Sequence, residues 1–264
     1  MSIELGRHLA EGRTADVFEL GAQRVVKLVK AGFSEDSLRS EADKTRAAVA
    51  AGAPAPWVHG VAAFQGRPGI VFDRVDGETM VERILESPDR VAGWGEELAT
   101  LHAGILSLET DQLPDVRIRL AARIEGARLL SPELRGRALE ALAGLSGGSA
   151  ILHGDFHPMN ILVDDDRTVV IDWVDAARGP AAADVARTLW LLSIHAIPPE
   201  FPGRDGLEPT VERLRTAYQT KVIELTGITS DEIGTWQLPV LAARLFEEIE
   251  HEVEPLQRAI GVVT

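Results

Sequence analysis

The chain has 264 residues, of which 45% are hydrophobic and 26% charged, with a formal net charge of −14 and no cysteine. The lack of cysteine excludes disulfides, thiolate chemistry and cysteine-ligated zinc, and no apolar run approaches the roughly 20 residues that a membrane helix needs. The negative charge argues against a nucleic-acid or anionic-membrane partner, and since the N-terminal sequence lacks a signal-peptide pattern, we expect a cytoplasmic protein.

The first third of the chain predicts strands around one helix. Residues 15–20 and 23–29 predict the two strands of a β-hairpin. Residues 37–52 predict a helix that stops at its terminal glycine. Residues 69–75 predict a further strand, so this region reads as a small sheet with one helix beside it.

The remainder of the chain is mainly helical in its pattern. Apolar residues recurring at spacings of three and four predict helices at 98–108, 117–130, 132–145, 184–197, 208–226 and 236–260. Short strands are expected at 150–153, 160–163 and 168–173. A strand-rich start followed by a helical remainder indicates an α+β protein with two lobes. We place the N-lobe at residues 1–75 and the C-lobe at residues 76–264.

The segment between the first two of these short strands contains the polar residues of greatest interest. Four residues separate Asp155 from Asn160, and Asp172 follows twelve residues later at the end of an apolar strand. Phosphoryl transfer needs a carboxylate that receives the acceptor proton, and oxygen ligands that hold magnesium on the nucleotide. Asp155 fits the first role, and Asn160 and Asp172 fit the second. Each residue alone is typical of a turn or cap, but their joint spacing indicates an active site.

The sequence LHGDFHPMNILV followed by VIDW resembles the catalytic motif of the aminoglycoside phosphotransferase and choline kinase superfamily, which is distantly related to protein kinases. The resemblance implies a bilobal protein-kinase-like fold with a small β-rich N-lobe and a larger, mainly helical C-lobe. It makes Asp155 the catalytic base and Asn160 and Asp172 the Mg²⁺ ligands. It also implies supporting roles for His153 and His157 in the loop.

The same resemblance places ATP, or alternatively GTP, against the N-terminal third. Lys27 lies within an apolar strand, where an unpaired charge is costly. The resemblance implies that it contacts the α- and β-phosphates of the nucleotide and pairs with a helix glutamate, for which Glu41 is the best match. The alternative is a lysine that extends to solvent and an exposed glutamate. Downstream, Asp184 is expected to support the catalytic loop by accepting hydrogen bonds from backbone N–H groups.

Two further stretches complete the expected nucleotide site. Gly12 and Thr14 belong to a short loop that would lie over the phosphates, with backbone N–H groups close to them. The sequence IVFDRVDGETM resembles the family's linker between the lobes, which implies that the backbone from Asp73 to Val75 hydrogen-bonds the adenine base. Backbone recognition sets no requirement on the side chains in that stretch.

The predicted C-terminal helix is rich in glutamate. Glu247, Glu250 and Glu254 would fall along one face of a continuous helix. We select Glu247 and Glu250 as candidates for binding the ammonium groups of a cationic acceptor, such as an aminoglycoside. The alternative is a solvated acidic face.

Three functions are compatible with the sequence. The first is an ATP-dependent O-phosphotransferase for an aminoglycoside or a related cationic antibiotic. The second is a metabolic kinase for choline, an amino sugar or another small alcohol. The third, a catalytically inactive nucleotide-binding pseudokinase, is disfavoured because Lys27, Asp155, Asn160 and Asp172 are all present. The sequence leaves the acceptor, its reacting hydroxyl, the choice of ATP or GTP and the oligomeric state open.

Overall fold

The computed structural model describes residues 5–12, 14–30, 35–164 and 167–263. Its N-terminal part forms a five-stranded antiparallel sheet in the order β1-β2-β3-β5-β4. The strands are β1 (His8–Glu11), β2 (Ala15–Glu19), β3 (Arg24–Val29), β4 (Val58–Phe64) and β5 (Arg67–Asp73), and helix α1 (Glu35–Ala50) lies between β3 and β4 in the chain. The predicted hairpin, helix and strand are therefore confirmed.

Alternation along β3 places its side chains on two faces of the sheet. Val26 and Leu28 are fully buried in one apolar cluster. The other face of the sheet packs on α1, where Leu38 and Ala42 contact Ile70 of β5. Because successive side chains alternate across a strand, Lys27 lies on the face covered by α1, opposite Val26 and Leu28.

The rest of the described chain is mostly helical around one large apolar core. Its helices are α2 (Met80–Glu86), α3 (Val91–Leu106), α4 (Val116–Gly126), α5 (Pro132–Ala143), α6 (Ala181–Leu191), α7 (Glu208–Thr226), α8 (Ser230–Arg244) and α9 (Glu250–Val262). Its short strands are β6 (Glu78–Thr79), β7 (Ala150–Leu152), β8 (Ile161–Val163), β9 (Thr168–Val170) and β10 (Ala177–Gly179).

These short strands form two small sheets that support the central polar loop. One sheet has the order β6-β8-β9, and β7 pairs with β10 in the other. The β8–β9 hairpin brings the chain after β9 back toward the start of β8. Strands 150–153, 160–163 and 168–173 were predicted, and the structure confirms a strand within each range.

The C-terminal helical region differs from the sequence prediction. A continuous helix over 236–260 was expected, but α8 ends at Arg244, a short 3₁₀ turn follows, and α9 begins at Glu250. Glu248 has φ of +50°, a left-handed conformation that an α-helix of L-residues does not continue. The prediction that Glu247, Glu250 and Glu254 share one face of one helix is therefore wrong.

Within the described ranges, no helix combines the length and apolar character that crossing a membrane requires. The first sheet ends at Asp73, and β6 begins at Glu78 as part of a different sheet. We therefore propose the lobe boundary between residues 75 and 76, where the sequence also places it.

Candidate active site

The loop between β7 and β8 brings Asp155 and Asn160 into direct contact. The Asn160 side-chain amide donates to the Asp155 backbone oxygen at 2.9 Å and lies 3.3 Å from the Asp155 carboxylate Oδ2. A 3₁₀ turn at Pro158–Asn160 holds this spacing. The Asp155 side chain is 30% exposed, so a small molecule can reach a carboxylate whose position is fixed by the loop.

Asp172 lies just after β9, beside the same loop. Its neighbour Ile171 donates a backbone hydrogen bond to the Asn160 oxygen at 2.9 Å. Asp172 itself adopts a left-handed conformation with φ of +66°, which costs a non-glycine residue on the order of 1–2 kcal/mol. Its side chain is 43% exposed. A strained backbone that presents an exposed carboxylate is typical of a functional position.

Lys27 of β3 forms an ion pair with Asp172 and thereby connects the N-terminal sheet to the chain after β9. Its Nζ lies 2.7 Å from Glu41 Oε1 and 2.9 Å from Asp172 Oδ1. Burial disfavours the charged ammonium group, but the negative charges of Glu41 and Asp172 outweigh that effect and raise the pKa of Lys27. The structure thus places a charged lysine between the two carboxylates, as its predicted pairing with Glu41 requires.

His153 organises the backbone at the start of the loop. Its Nδ1 accepts from the Asp155 backbone N–H at 3.2 Å, and its Nε2 lies 3.0 Å from the Ile171 oxygen. One ring nitrogen accepts and the other donates, which is the pattern of a neutral imidazole. Burial lowers the pKa of His153 and favours this neutral form. His153 is fully buried, so it holds the loop without facing the exposed side.

Asp184 of α6 supports the loop by accepting hydrogen bonds from its backbone. Its carboxylate accepts the backbone N–H groups of His153 at 2.7 Å and Gly154 at 2.9 Å. It also contacts Nε2 of the buried His102 at 3.1 Å, and Nδ1 of that ring lies 2.7 Å from the Tyr218 hydroxyl. The loop backbone is therefore anchored to α6 and, through His102, to α3 and α7.

Charged and polar side chains also surround the Asp155 carboxylate. His157 Nε2 lies 3.4 Å from Oδ2, and Arg187 Nη2 lies 3.4 Å from Oδ1. Burial disfavours the carboxylate, but the hydrogen bond to His157 and the positive charges of His157, Arg187 and Arg244 outweigh it. They hold the pKa of Asp155 well below its usual range. The group is a carboxylate at neutral pH and accepts hydrogen bonds.

Sequence reasoning missed a group of arginines packed around this loop. They are Arg119 and Arg123 of α4, Arg187 of α6 and Arg244 of α8, and each lies against a carboxylate. Arg187 offered a detectable signal, because it is a charged residue of the mainly apolar α6 and lies three residues after Asp184. That spacing places both side chains on one helix face.

Asp175 is the acidic partner of two of these arginines. Arg123 Nη2 lies 2.7 Å from Asp175 Oδ1, and Arg119 Nη1 lies 3.6 Å from it. Burial opposes ionisation, but the charges of Arg119, Arg123 and Arg187 outweigh it and lower the pKa of Asp175 from 3.8 to about 2. Asp175 therefore stays charged throughout the ordinary pH range.

Glu247 is engaged by the same arginines. Its Oε1 lies 2.7 Å from Arg187 and its Oε2 lies 2.7 Å from Arg244, while Arg123 lies 3.5 Å from Oε1. Glu250, by contrast, is exposed at the start of α9. These contacts favour an internal role for Glu247. Its predicted contact with an acceptor, like that of Glu250, stays a prediction.

Gly12 and Thr14 lie in the short connection between β1 and β2. The Gly12 N–H donates to the Ala15 oxygen at 2.8 Å, and the Thr14 oxygen accepts from the Lys30 N–H at 2.9 Å. Arg13 lies outside the described residues. The connection is therefore tied to β2 and to the end of β3, and its predicted contact with phosphates stays a prediction.

The stretch from Asp73 to Val75 follows the end of β5. The backbone N–H of Asp73 donates to Trp57 at 3.0 Å, and that of Arg74 donates to Gln23 at 2.9 Å. Both backbone N–H groups are already hydrogen-bonded within the protein. Adenine recognition in this stretch would therefore rely on the Val75 N–H and on backbone oxygens.

The donor set beside the loop is suited to magnesium rather than to a metal held by protein ligands alone. The described residues contain no group of three or more histidine, cysteine, aspartate or glutamate side chains that could hold a metal ion. Mg²⁺ commonly takes one or two protein oxygens and completes its shell with water and substrate phosphates. One carboxylate, from Asp172, and one amide oxygen, from Asn160, fit that requirement.

A comparison with known families agrees with the chemistry of these residues. Residues 6–220 match the model of the phosphotransferase enzyme family. The chain belongs to this family. The protein is therefore a phosphotransferase, and the family and enzyme class expected from the motif are confirmed.

One curated relative and two solved structures illustrate what this phosphotransferase is similar to. Viomycin phosphotransferase of Streptomyces vinaceus is 27% identical in an alignment of 192 residues, and the match covers 63% of this chain and 67% of that protein. A thermostable mutant of aminoglycoside phosphotransferase APH(4)-Ia, in complex with AMP-PNP and hygromycin B, gives a TM-score of 0.69 at 16% identity, over 98% of this chain and 93% of that one. Aminoglycoside-3'-phosphotransferase of type VIII gives 0.64 at 18% identity, over 93% and 94%. At these identities the structures show the fold, and the predicted kinase-like α+β class is confirmed.

Proposed function

We propose that this phosphotransferase moves the γ-phosphate of ATP to a hydroxyl group of a small cationic acceptor, such as an aminoglycoside or a related antibiotic. The observation that supports it most is the position of Asp155. Its partly exposed carboxylate lies against Asn160, and the Lys27–Glu41 pair reaches Asp172 on the neighbouring strand end. A cytoplasmic location, where ATP is available, is part of the same proposal.

Asp155 would act on the acceptor hydroxyl. It accepts the hydroxyl hydrogen bond, orients the oxygen toward the γ-phosphorus, and takes the proton as the new O–P bond forms and the bond to ADP breaks. A carboxylate with a depressed pKa is a weak base. Its main contribution is therefore to orient the hydroxyl, with proton transfer late in the reaction, as a loose phosphoryl-transfer transition state requires.

Asn160 and Asp172 would hold Mg²⁺ on the nucleotide, and Lys27 would contact the α- and β-phosphates. The metal, when bound, neutralises charge on the phosphate oxygens. Lys27 Nζ lies 2.9 Å from Asp172 Oδ1, so its ammonium group and the magnesium ligand would serve the same phosphates. Gly12 and Thr14 would cover the phosphates, and the Val75 N–H would hydrogen-bond adenine.

Two observations support a cationic acceptor. The relative from S. vinaceus is named for viomycin, and the structure of similar fold contains hygromycin B. The chain itself carries a net charge of −14, which attracts cations over long range. We propose that Glu250 faces the acceptor, since its side chain is exposed, and that Glu247 contributes through its arginine partners.

A second candidate is a metabolic kinase for choline, an amino sugar or another small alcohol, and among these a neutral alcohol fits the site best. It is favoured by the arginines beside Asp155, which offset the charges of Asp175 and Glu247. A locally balanced site attracts an ammonium group less strongly than free carboxylates do. The two candidates predict different acceptors for the same chemistry.

The test is ATP consumption with magnesium across aminoglycosides, viomycin-like peptides, amino alcohols and neutral sugars. We expect turnover with a cationic acceptor and none when magnesium is omitted. Asp155→Asn should lower kcat by about 10³-fold or more while nucleotide binding persists. Asp111→Asn, at an exposed loop position, is the matched control and should keep full activity. Equal turnover by wild type and Asp155→Asn would contradict the role of Asp155, and turnover with neutral sugars alone would favour the second candidate.

A further inference from the structure

Arg187 contacts the catalytic loop at two points. Its Nε donates to the Gly154 backbone oxygen at 3.2 Å, and its Nη2 lies 3.4 Å from Asp155 Oδ1. The same Nη2 lies 2.7 Å from Glu247 Oε1. The Arg187 side chain is only 8% exposed. One planar guanidinium therefore touches the loop backbone, the Asp155 carboxylate and the turn between α8 and α9.

The contacts of the Asp155 carboxylate divide between its two oxygens. Oδ1 contacts Arg187, while Oδ2 contacts the Asn160 amide at 3.3 Å and His157 at 3.4 Å. Partners on both oxygens fix the plane of the carboxylate. A carboxylate offers about four acceptor positions, so positions remain for an acceptor hydroxyl.

Arg187 lies closer to Glu247 than to Asp155. The 2.7 Å contact of Arg187 Nη2 with Glu247 is shorter than its 3.4 Å contact with Asp155. The arginine is thus drawn toward Glu247 and contacts the Asp155 carboxylate at Oδ1 only. A direct bidentate Arg187–Asp155 pair would instead occupy both carboxylate oxygens.

Glu247 is in turn held by a second arginine. Arg244 Nη1 lies 2.7 Å from Glu247 Oε2, and Arg244 Nε lies 2.8 Å from Glu252 Oε2, which also accepts from the Trp190 indole at 2.7 Å. Arg244 and Glu252 are buried. Acidic and basic side chains therefore alternate in the order Glu252, Arg244, Glu247, Arg187 and Asp155. Arg187 lies between the last two carboxylates of this series, and both of them contact it.

We propose that Arg187 is a positioning residue for phosphoryl transfer, which fixes the Asp155 carboxylate toward the acceptor hydroxyl, and that Glu247 aligns Arg187 for this purpose. The proposal rests on the proposed function of Asp155. The planar fork of arginine is what allows one side chain to contact a backbone oxygen and two carboxylates together. A lysine ammonium cannot reproduce all three contacts.

The experiment compares Arg187→Met and Arg187→Lys with the wild type in steady-state phosphorylation. A misplaced Asp155 impairs the chemical step, so Arg187→Met should lower kcat by about 10- to 100-fold and leave KM for ATP unchanged. Arg187→Lys retains the charge and should recover part of the loss. Glu247→Gln keeps an oxygen for Arg187 and should lower kcat by less than Arg187→Met.

The control is Arg215→Met on α7. Arg215 also donates to a backbone oxygen of α6, that of Leu189 at 3.1 Å, and it has no part in the proposed site. We expect it to keep the wild-type kcat. Melting temperatures of all variants distinguish a loss of stability from a loss of positioning. Because Arg187→Met breaks a buried ion pair, this variant could fail to fold, and Arg187→Lys is then the variant that tests the proposal.

Crystal structures of the wild type and Arg187→Lys provide a readout that needs no acceptor. We expect the Asp155 carboxylate to rotate away from its wild-type plane in the variant. An unchanged carboxylate together with an unchanged kcat would overturn the proposal, as would a loss of kcat that merely follows the loss of stability. If the wild type phosphorylates no acceptor in the panel, the proposed function fails, and the orientation of Asp155 then decides the positioning role by itself.

Discussion

Replacing Asp175 by asparagine removes a charge that two partly buried arginines, Arg119 and Arg123, share. Asp175 is 14% exposed, and Arg123 Nη2 lies 2.7 Å from its Oδ1. The charges of the neighbouring arginines overcome the cost of burial and lower its pKa from 3.8 to about 2. This difference corresponds to about 2 kcal/mol of folding free energy at neutral pH. Arg119 and Arg123 lose this partly buried carboxylate, which raises the expected cost of the substitution toward about 3–5 kcal/mol.

The dependence on pH follows from the direction of this pKa. A carboxyl group whose pKa is lower in the folded state stabilises the fold above its unfolded value of 3.8, and this contribution is lost as the pH falls toward about 2. The free energy of unfolding should therefore differ most between wild type and Asp175→Asn near neutral pH. The ionisation part of that difference should shrink below about pH 4.

Urea unfolding at a series of pH values from neutral to acid measures this difference. The matched control is Asp43→Asn, an exposed aspartate of α1 whose surface pair with Arg46 is 2.9 Å long. Such a pair contributes about 0–1 kcal/mol, so the control should change stability little at any pH. A cost for Asp175→Asn as small as that of Asp43→Asn at neutral pH would refute the reasoning, and so would a cost that does not fall with the pH.

Lys27→Met should lower kcat/KM for ATP by about 10-fold or more because the phosphates lose a charged partner, whereas Lys221→Met on α7 should leave steady-state kinetics unchanged. Gly154→Ala should both lower the melting temperature and slow phosphorylation. A Cβ at Gly154, where φ is +80°, would lie 2.4 Å from the Asp175 backbone oxygen, and the strain alone costs about 1–3 kcal/mol. Gly136→Ala, in open space on α5, should instead stabilise the protein by about 0.5–1 kcal/mol. Equal melting temperatures for these two glycine variants would contradict the steric account.

The features that the sequence predicts well depend on local geometry. The alternation along β3 places Lys27 on the face toward α1, where Glu41 lies within 2.7 Å. The five-residue step from Asp155 to Asn160 fits within one short loop between two strands. In the first case the alternation fixes the face on which Lys27 lies, and in the second the chain between Asp155 and Asn160 is too short for their relative placement to vary much.

The arginine cluster depends on contacts that no local pattern contains. Glu247 is 60 residues from Arg187 and 124 from Arg123 in the chain. The spacing of apolar residues across 236–260 predicts one continuous helix, because that spacing shows which face is buried but not where the helix breaks. The pairing of Glu247 with Arg187 and Arg244 is tertiary, and it accompanies the break at Glu248.

The same cluster changes what the net charge implies for the acceptor. A charge of −14 gives the total over the chain, not the number of carboxylates free to bind a cation. Beside Asp155, both Asp175 and Glu247 are already paired with arginine. Long-range attraction by the whole surface can still concentrate a cationic acceptor near the protein. Short-range recognition must then come from exposed groups such as Glu250, because the paired carboxylates would have to give up an arginine to bind an ammonium group.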